Sequence, residues 1–224
     1  AQKSEAEGGR RFGRTYWICN IIEMFERLAY FNLRVMAPIY IQQIGKNPGG
    51  LHLTPAHKGR IYAWWAIVQS GLPIVTGGYA SRYGYKRGLA LAVSLNSIGY
   101  VMRGLLPSYA GFFAGVLVLG TGTAFVKPSL QGTLAQSLTK ETSSVGWGIF
   151  YWLVNVSAMM GSPLEGRLRK ISWPRVFYGC ALIVSATFLI LFTYRDPPSG
   201  YPPNANPHHP LHDTRTSWTI RRLL

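Results

Sequence analysis

Apolar residues fall into six long stretches, roughly 16–41, 60–80, 88–106, 109–128, 146–164 and 175–194. Each is close to or above the roughly 20 residues an α-helix needs to cross the hydrocarbon core of a bilayer. The breaks between them sit on turn-forming residues: Asn47-Pro48-Gly49-Gly50, Arg82-Tyr83-Gly84, Pro107-Ser108, Thr139 to Ser144, and Ile171 to Pro174. This pattern predicts an all-α membrane protein of six transmembrane helices. Three regions follow: a basic amino-terminal tail (1–15), a six-helix domain (16–194) and a Pro-rich polar tail or the start of a linker (195–224). Pro38, Pro73, Pro128 and Pro163 lie at or inside the spans, where they kink helices whose freed backbone groups neighbouring helices resatisfy. Gly111, Gly115, Gly120 and Gly122 in the fourth span allow close helix approach, as do Gly146, Gly148, Ser157 and Gly161 in the fifth. Gly120-Thr121-Gly122 lacks the third Gly and the preceding strand of a nucleotide loop.

Composition supports the membrane class. Only 14% of the 224 residues are charged, against about 25% in soluble domains. The net charge of +15 would suggest nucleic acid if it lay on one face of a soluble domain. Here most basic residues lie between apolar spans, so anionic lipid headgroups are the expected partners and nucleic acid is not. The distribution of Lys and Arg modestly favours a cytoplasmic amino terminus, with both termini on that side. In this count Arg103 belongs to the outer segments, with Lys58, Arg60 and the cluster Arg167, Arg169, Lys170 and Arg175. Cys19 and Cys180 fall inside apolar spans and read as small fillers, not as a disulfide or metal pair. His208, His209 and His212 read as part of a solvated tail, and Trp218 to Leu224 as a possible interfacial helix. No Ser/His/Asp order, HExxH, paired-Cys or phosphate-loop motif is present, so neither an enzyme, a cofactor nor a metal is expected.

The first span departs from the apolar pattern. It holds Glu23, Glu26, Arg27 and Arg34 within YWICNIIEMFERLAYFNLRVMAP. A charge at membrane depth costs about 2.5–3.5 kcal/mol even on insertion scales, and marks a functional site by default. Glu23, Arg27, Tyr30 and Arg34 follow i, i+4, i+7 and i+11, which places them on one helix face. Glu23 and Arg27 stand in the favourable order for an ion pair. Lys127 adds an intramembrane cation in the fourth span. Two acids against three bases leaves a surplus positive charge, which suits a carboxylate on a solute. A purely structural salt-bridge network is the bland alternative, weakened by the desolvation cost of buried pairs.

These residues resemble a known family. Glu23-Met24-Phe25-Glu26-Arg27 matches the ExxER motif on helix one of proton-coupled oligopeptide transporters, which belong to the major facilitator superfamily. Tyr30 and Arg34 fall where that family places a Tyr and a substrate-facing Arg. Lys127-Pro128, after LGTGTAFV, resembles its helix-four Lys-Pro. Phe150-Tyr151 and Asn155 resemble its helix-five FYxxINxGSL motif, with Val154, Ser157 and Ala158 substituted. The run from Gly77 through Ser81, Arg82 and Gly84 to Lys86 and Arg87 resembles the superfamily's GxxxDRxGxRR loop, with Ser81 in place of Asp. The resemblance covers about residues 15–195, the amino-terminal half of a twelve-helix transporter.

The resemblance implies that Glu23 and Glu26 titrate while Arg27 and Lys127 exchange pairing with them. It implies that Tyr30, Arg34, Lys127, Tyr151 and Asn155 bind substrate, and that Gly77, Ser81, Arg82, Gly84, Lys86 and Arg87 take part in gating. The expected function is proton-coupled symport of a small carboxylate-bearing solute such as a peptide. The expected partners are membrane lipids, the solute, and a second six-helix half or other membrane subunits. The alternative is a transporter-derived accessory subunit that transports nothing.

Overall fold

The computed structural model describes residues 12–42 and 49–194 of the chain. Seven helices run through them: α1 (Arg14–Gln42), α2 (Pro55–Gly71), α3 (Pro73–Tyr83), α4 (Tyr85–Leu105), α5 (Tyr109–Ser137), α6 (Ser143–Arg169) and α7 (Trp173–Thr193). The amino-terminal tail to residue 11 and the Pro-rich segment from residue 195, with its three His, lie outside the described residues.

The helices make six rods, because α2 and α3 are two pieces of one rod broken at Leu72-Pro73. Thr54 opens α2: its hydroxyl accepts from the His57 backbone N–H at 3.3 Å, and Pro55 fills the first turn, where no donor is missed. At the other end Gly84 adopts φ 96°, a conformation that side chains beyond Gly avoid, and this turns α3 sharply into α4.

The fourth span runs further than expected. It was read as ending near Pro128, yet α5 continues to Ser137. A proline inside a helix leaves the carbonyl four residues back without its donor. That carbonyl, on Ala124, accepts instead from the Thr76 hydroxyl of α3 at 2.7 Å. A neighbouring rod therefore repairs the ladder, and the helix is free to continue.

By length and composition, α5 and α7 qualify as bilayer-crossing helices among the described residues, where six such stretches were expected. Charges burden α1, and the break shortens α2 and α3. Gly, Ser and Asn dilute α4 and α6. The exposed faces are nevertheless apolar: Leu182, Leu189 and Phe192 on α7 are 73%, 72% and 80% exposed, an arrangement suited to a non-aqueous surrounding.

Small residues set the closest contact. A Cβ on Gly99 of α4 would stand 2.8 Å from the Leu119 backbone nitrogen of α5, so the two backbones meet directly. Further out, α4 also packs on α7, α1 on α6 and α7, and the broken rod on α5.

Two apolar cores result. One gathers Tyr16, Cys19 and Ile22 of α1 with Leu89 of α4 and Val126 and Leu130 of α5. The other gathers Ala29, Leu33 and Tyr40 of α1 with Tyr100, Phe112, Phe177 and Val184. Glu23, Glu26 and Arg27 occupy the gap between the cores on α1, and buried Thr123 and Thr187 occupy it on α5 and α7. The fold thus has a polar waist between two apolar halves.

Candidate functional site

Helical spacing assembles the centre of the site within α1. Arg27 Nε stands 2.9 Å from Glu23 Oε1, one turn earlier, and Arg27 Nη2 stands 2.6 Å from Glu26 Oε2. One guanidinium therefore bridges both carboxylates, and all three side chains are at most 10% exposed. Charge-assisted pairs of this kind are strong only where water is excluded. The fork of Arg, with donors pointing in two directions, lets a single cation serve two acids.

Lys127 of α5 is half-buried and makes no ion pair within the described set, yet its charge acts on both carboxylates. Arg27 holds the acids at contact distance, and Lys127 stands off as a spare cation.

Towards the next turn of α1 the same face continues. The Arg27 guanidinium carbon lies 4.8 Å from the Tyr30 ring centroid, and that of Arg34 lies 5.9 Å from it, so Tyr30 is flanked by two cations. Arg34 Nη1 donates to the Tyr30 hydroxyl at 3.2 Å. The same hydroxyl donates to Gln69 Oε1 of α2 at 3.4 Å. A recess of about 220 Å³ opens here between α1 and α2, lined by Tyr30, Arg34, Tyr62, Trp65 and Gln69. Its mouth carries the exposed Arg34, and its wall is aromatic. An anionic group on a small solute fits that chemistry.

The remaining expected site residues sit elsewhere. Tyr151 is 57% exposed, and Asn155 is exposed on the same face of α6, where its amide donates to the Tyr151 carbonyl at 2.9 Å. No hydrogen bond or ion pair among the described residues joins either to Arg34 or Lys127. In the loop expected to gate, Gly77 of α3 faces Pro128 of α5 closely enough that an added Cβ would lie 3.6 Å from Pro128 Cβ. Gly84 makes the turn. Lys86 Nζ donates to the Tyr194 carbonyl at 2.9 Å, satisfying the end of α7. Arg87 is exposed. Ser81 and Arg82 lie on α3, and their side chains fall outside the described set.

Sequence reasoning missed three participants. Tyr62, Trp65 and Gln69 join the recess because α2 packs across α1, a contact no local pattern announces. One assignment is corrected outright: Arg103 was counted with the outer loops, but it is 0% exposed inside α4. It projects inward because α5 presents Gly115 there; a Cβ on that residue would stand 2.9 Å from Arg103 Cγ. Its position inside the third apolar stretch was the available signal.

Comparison with known proteins fits this architecture. The sequence model of the Major Facilitator Superfamily matches residues 19–223. The chain is 24% identical over 223 residues to a probable peptide transporter, ptr2, of Schizosaccharomyces pombe, covering 82% of this chain and 36% of that protein. It is 23% identical over 148 residues to multidrug resistance protein 1 of Bacillus subtilis, covering 66% of this chain and 38% of that protein. Among solved structures, a POT family transporter in complex with 5-aminolevulinic acid superposes with a TM-score of 0.61 at 19% identity, covering 82% of this chain and 38% of that one. An auto-inhibited POT family peptide transporter superposes with a TM-score of 0.61 at 20% identity, covering 88% and 40%. The chain thus spans well under half the length of these relatives.

Proposed function

The chain belongs to the Major Facilitator Superfamily, and from that premise we propose that it forms the amino-terminal half of a proton-driven symporter for a small carboxylate-bearing solute such as a peptide. The observation that carries this reading is the single guanidinium of Arg27 held between Glu23 and Glu26, one helical turn from the Arg34 recess. Protonating either carboxylate removes one of the two charges that hold Arg27. The cation then becomes available to a solute carboxylate beside Tyr30, and solute binding in turn favours the protonated acid. Lys127, standing off from the pair, takes over the remaining carboxylate when Arg27 turns away. Because two binding events share one cation, proton entry and solute binding become linked.

The solute class rests on the surplus of positive charge along this face and on the aromatic recess beside it. The likeness to a probable peptide transporter and to POT family structures supports a peptide. On this reading the partners are membrane lipids, the solute, and a second six-helix half against which this one rocks. A second reading, a transporter-derived accessory subunit, is favoured by Ser81 standing where the superfamily loop carries Asp.

Uptake by the native protein in proteoliposomes separates the readings. Glu23→Gln and Glu26→Gln keep shape and hydrogen bonding but do not titrate. They should abolish dialanine uptake driven by a pH gradient while sparing dialanine counterflow, which needs binding but no net proton movement. Native protein that moves no dialanine in either assay would favour the subunit reading, and Gln variants that keep gradient-driven uptake would remove Glu23 and Glu26 from the coupling.

A further inference from the structure

Arg103 has no place in the coupling scheme above, and it is the most deeply buried cation described. Its side chain is enclosed by aromatic rings, with its guanidinium carbon 5.4 Å from the Phe112 centroid, 5.7 Å from Tyr100 and 6.0 Å from Trp65. Nη2 reaches the Gly115 carbonyl at 3.4 Å, while Nε and Nη1 have no partner, and no acid among the described residues pairs with it. Burying a charge without a counterion is strongly unfavourable. Ring faces and the carbonyl end of α4 offset only part of that cost.

Trp65 is the link to the recess. Its ring centroid lies 6.0 Å from the Arg103 guanidinium carbon, and with Tyr62 it lines the Arg34 recess. The Tyr62 hydroxyl and the Trp65 indole N–H are both buried and have no acceptor among the described residues. Arg103 therefore stands one aromatic layer behind a cavity whose mouth holds Arg34. Along these faces two carboxylates, Glu23 and Glu26, stand against four cations, Arg27, Arg34, Lys127 and Arg103. Arg27 already serves the two acids, so the recess keeps an excess of positive charge.

We propose that Arg103 is a specificity-determining residue that acts through space: its buried charge tunes the α1–α2 recess for solutes carrying a second anionic group beyond the one that Arg34 meets. It touches no solute. Its field crosses a single ring in a medium of low effective dielectric, where one unit charge changes the affinity for another by about tenfold. Neutral and cationic analogues gain nothing from it, so the site discriminates by charge. The proposal rests on the solute-binding reading above, and the test distinguishes the two.

The probes are dialanine, which reports that reading alone, and the pair glutarate and glutaramate, its monoamide, which report Arg103. Binding of each to the purified native protein is measured by titration, together with thermal unfolding. Native protein should prefer glutarate by about tenfold. Arg103→Met should remove that preference, spare dialanine binding within about threefold and unfold at an equal or higher temperature, since it deletes an uncompensated charge. Arg103→Lys should keep the preference, which a merely space-filling role would not require; Arg103→Gln replaces the Met variant if that one does not fold. No glutarate preference in native protein, or a preference that survives in Arg103→Met, would overturn the proposal while leaving the peptide reading intact. Dialanine that fails to bind while glutarate discrimination follows residue 103 would overturn the peptide reading and keep this one.

Discussion

The Arg27 guanidinium carbon stands 4.8 Å from the centroid of the Tyr30 ring, so the cation clamped by two acids packs against a ring that lines the recess. A single ring, that of Tyr30, borders both the Glu23–Arg27–Glu26 cluster and the recess. Both carboxylates are tied to one cation in this arrangement, and that cation and Arg34 flank the same ring.

The clamp itself is testable through stability. Arg27→Met would leave two buried carboxylates without their cation, and truncating one partner of a buried ionic network typically costs about 3–5 kcal/mol. The triple variant Glu23→Gln, Glu26→Gln, Arg27→Met removes charge from all three positions and should recover most of that loss. Thermal unfolding in detergent measures both. A single variant as stable as the native protein would show that the clamp does not hold these charges.

The α4–α5 contact predicts a steric effect. At Gly99 an added Cβ would lie 2.8 Å from the Leu119 nitrogen and 2.9 Å from the Gly115 carbonyl oxygen. Backbone atoms do not yield as a flexible side chain does. Gly99→Ala should destabilise the bundle by about 1–3 kcal/mol, the usual range for overpacking. Gly148→Ala, where nothing lies within 4 Å of the added carbon, should be neutral or slightly stabilising. Equal unfolding temperatures for the two variants would contradict the packing.

Recess chemistry predicts a milder loss. Tyr30→Phe keeps the ring between Arg27 and Arg34 but deletes the hydroxyl that accepts from Arg34 and donates to Gln69. A hydrogen bond of this kind contributes about 0.5–1.5 kcal/mol, so dialanine binding should weaken by about two- to tenfold with little change in unfolding temperature. Binding unchanged within error would place the solute away from Tyr30.

Crossing topology is open to chemical labelling. Exposed Ser108 and Lys170 lie at one end of the rods, and exposed Thr139 and Lys140 lie at the other. Both native cysteines are buried, so background should be low. Cysteines introduced at 108 and 170 should react with an impermeant maleimide from one side of the membrane, and those at 139 and 140 from the opposite side. Labelling of all four from one side would contradict a membrane-spanning bundle.

What the sequence made legible was local. The face Glu23, Arg27, Tyr30 and Arg34 follows from helical geometry alone, and the structure pairs Glu23 with Arg27 at that spacing. The second apolar stretch was expected from residue 60, and α2 starts earlier, at Pro55, because Thr54 caps it. The extension of α5 past Pro128 was not legible, because it depends on a hydroxyl from Thr76, 48 positions away. Arg103 was misplaced for a related reason. A cation near the end of an apolar stretch reads as a loop residue until α2 and α5 close around it. Tyr151 and Asn155 enter only through the motif resemblance, and no hydrogen bond or ion pair among the described residues joins them to the α1 cations.

The central claim, that Glu23 and Glu26 link proton binding to solute binding through Arg27, is tested most directly by the pH dependence of dialanine affinity in the native protein and in the Glu23→Gln, Glu26→Gln double variant. A protonated carboxyl frees Arg27, so native affinity should rise as pH falls, until the solute's own carboxyl protonates near pH 3.3–3.7. Binding should draw protons from a weak buffer, as linkage requires. The double variant should bind dialanine with a flat pH profile and take up no protons. A native affinity independent of pH, or a double variant that keeps the native slope, would contradict the account.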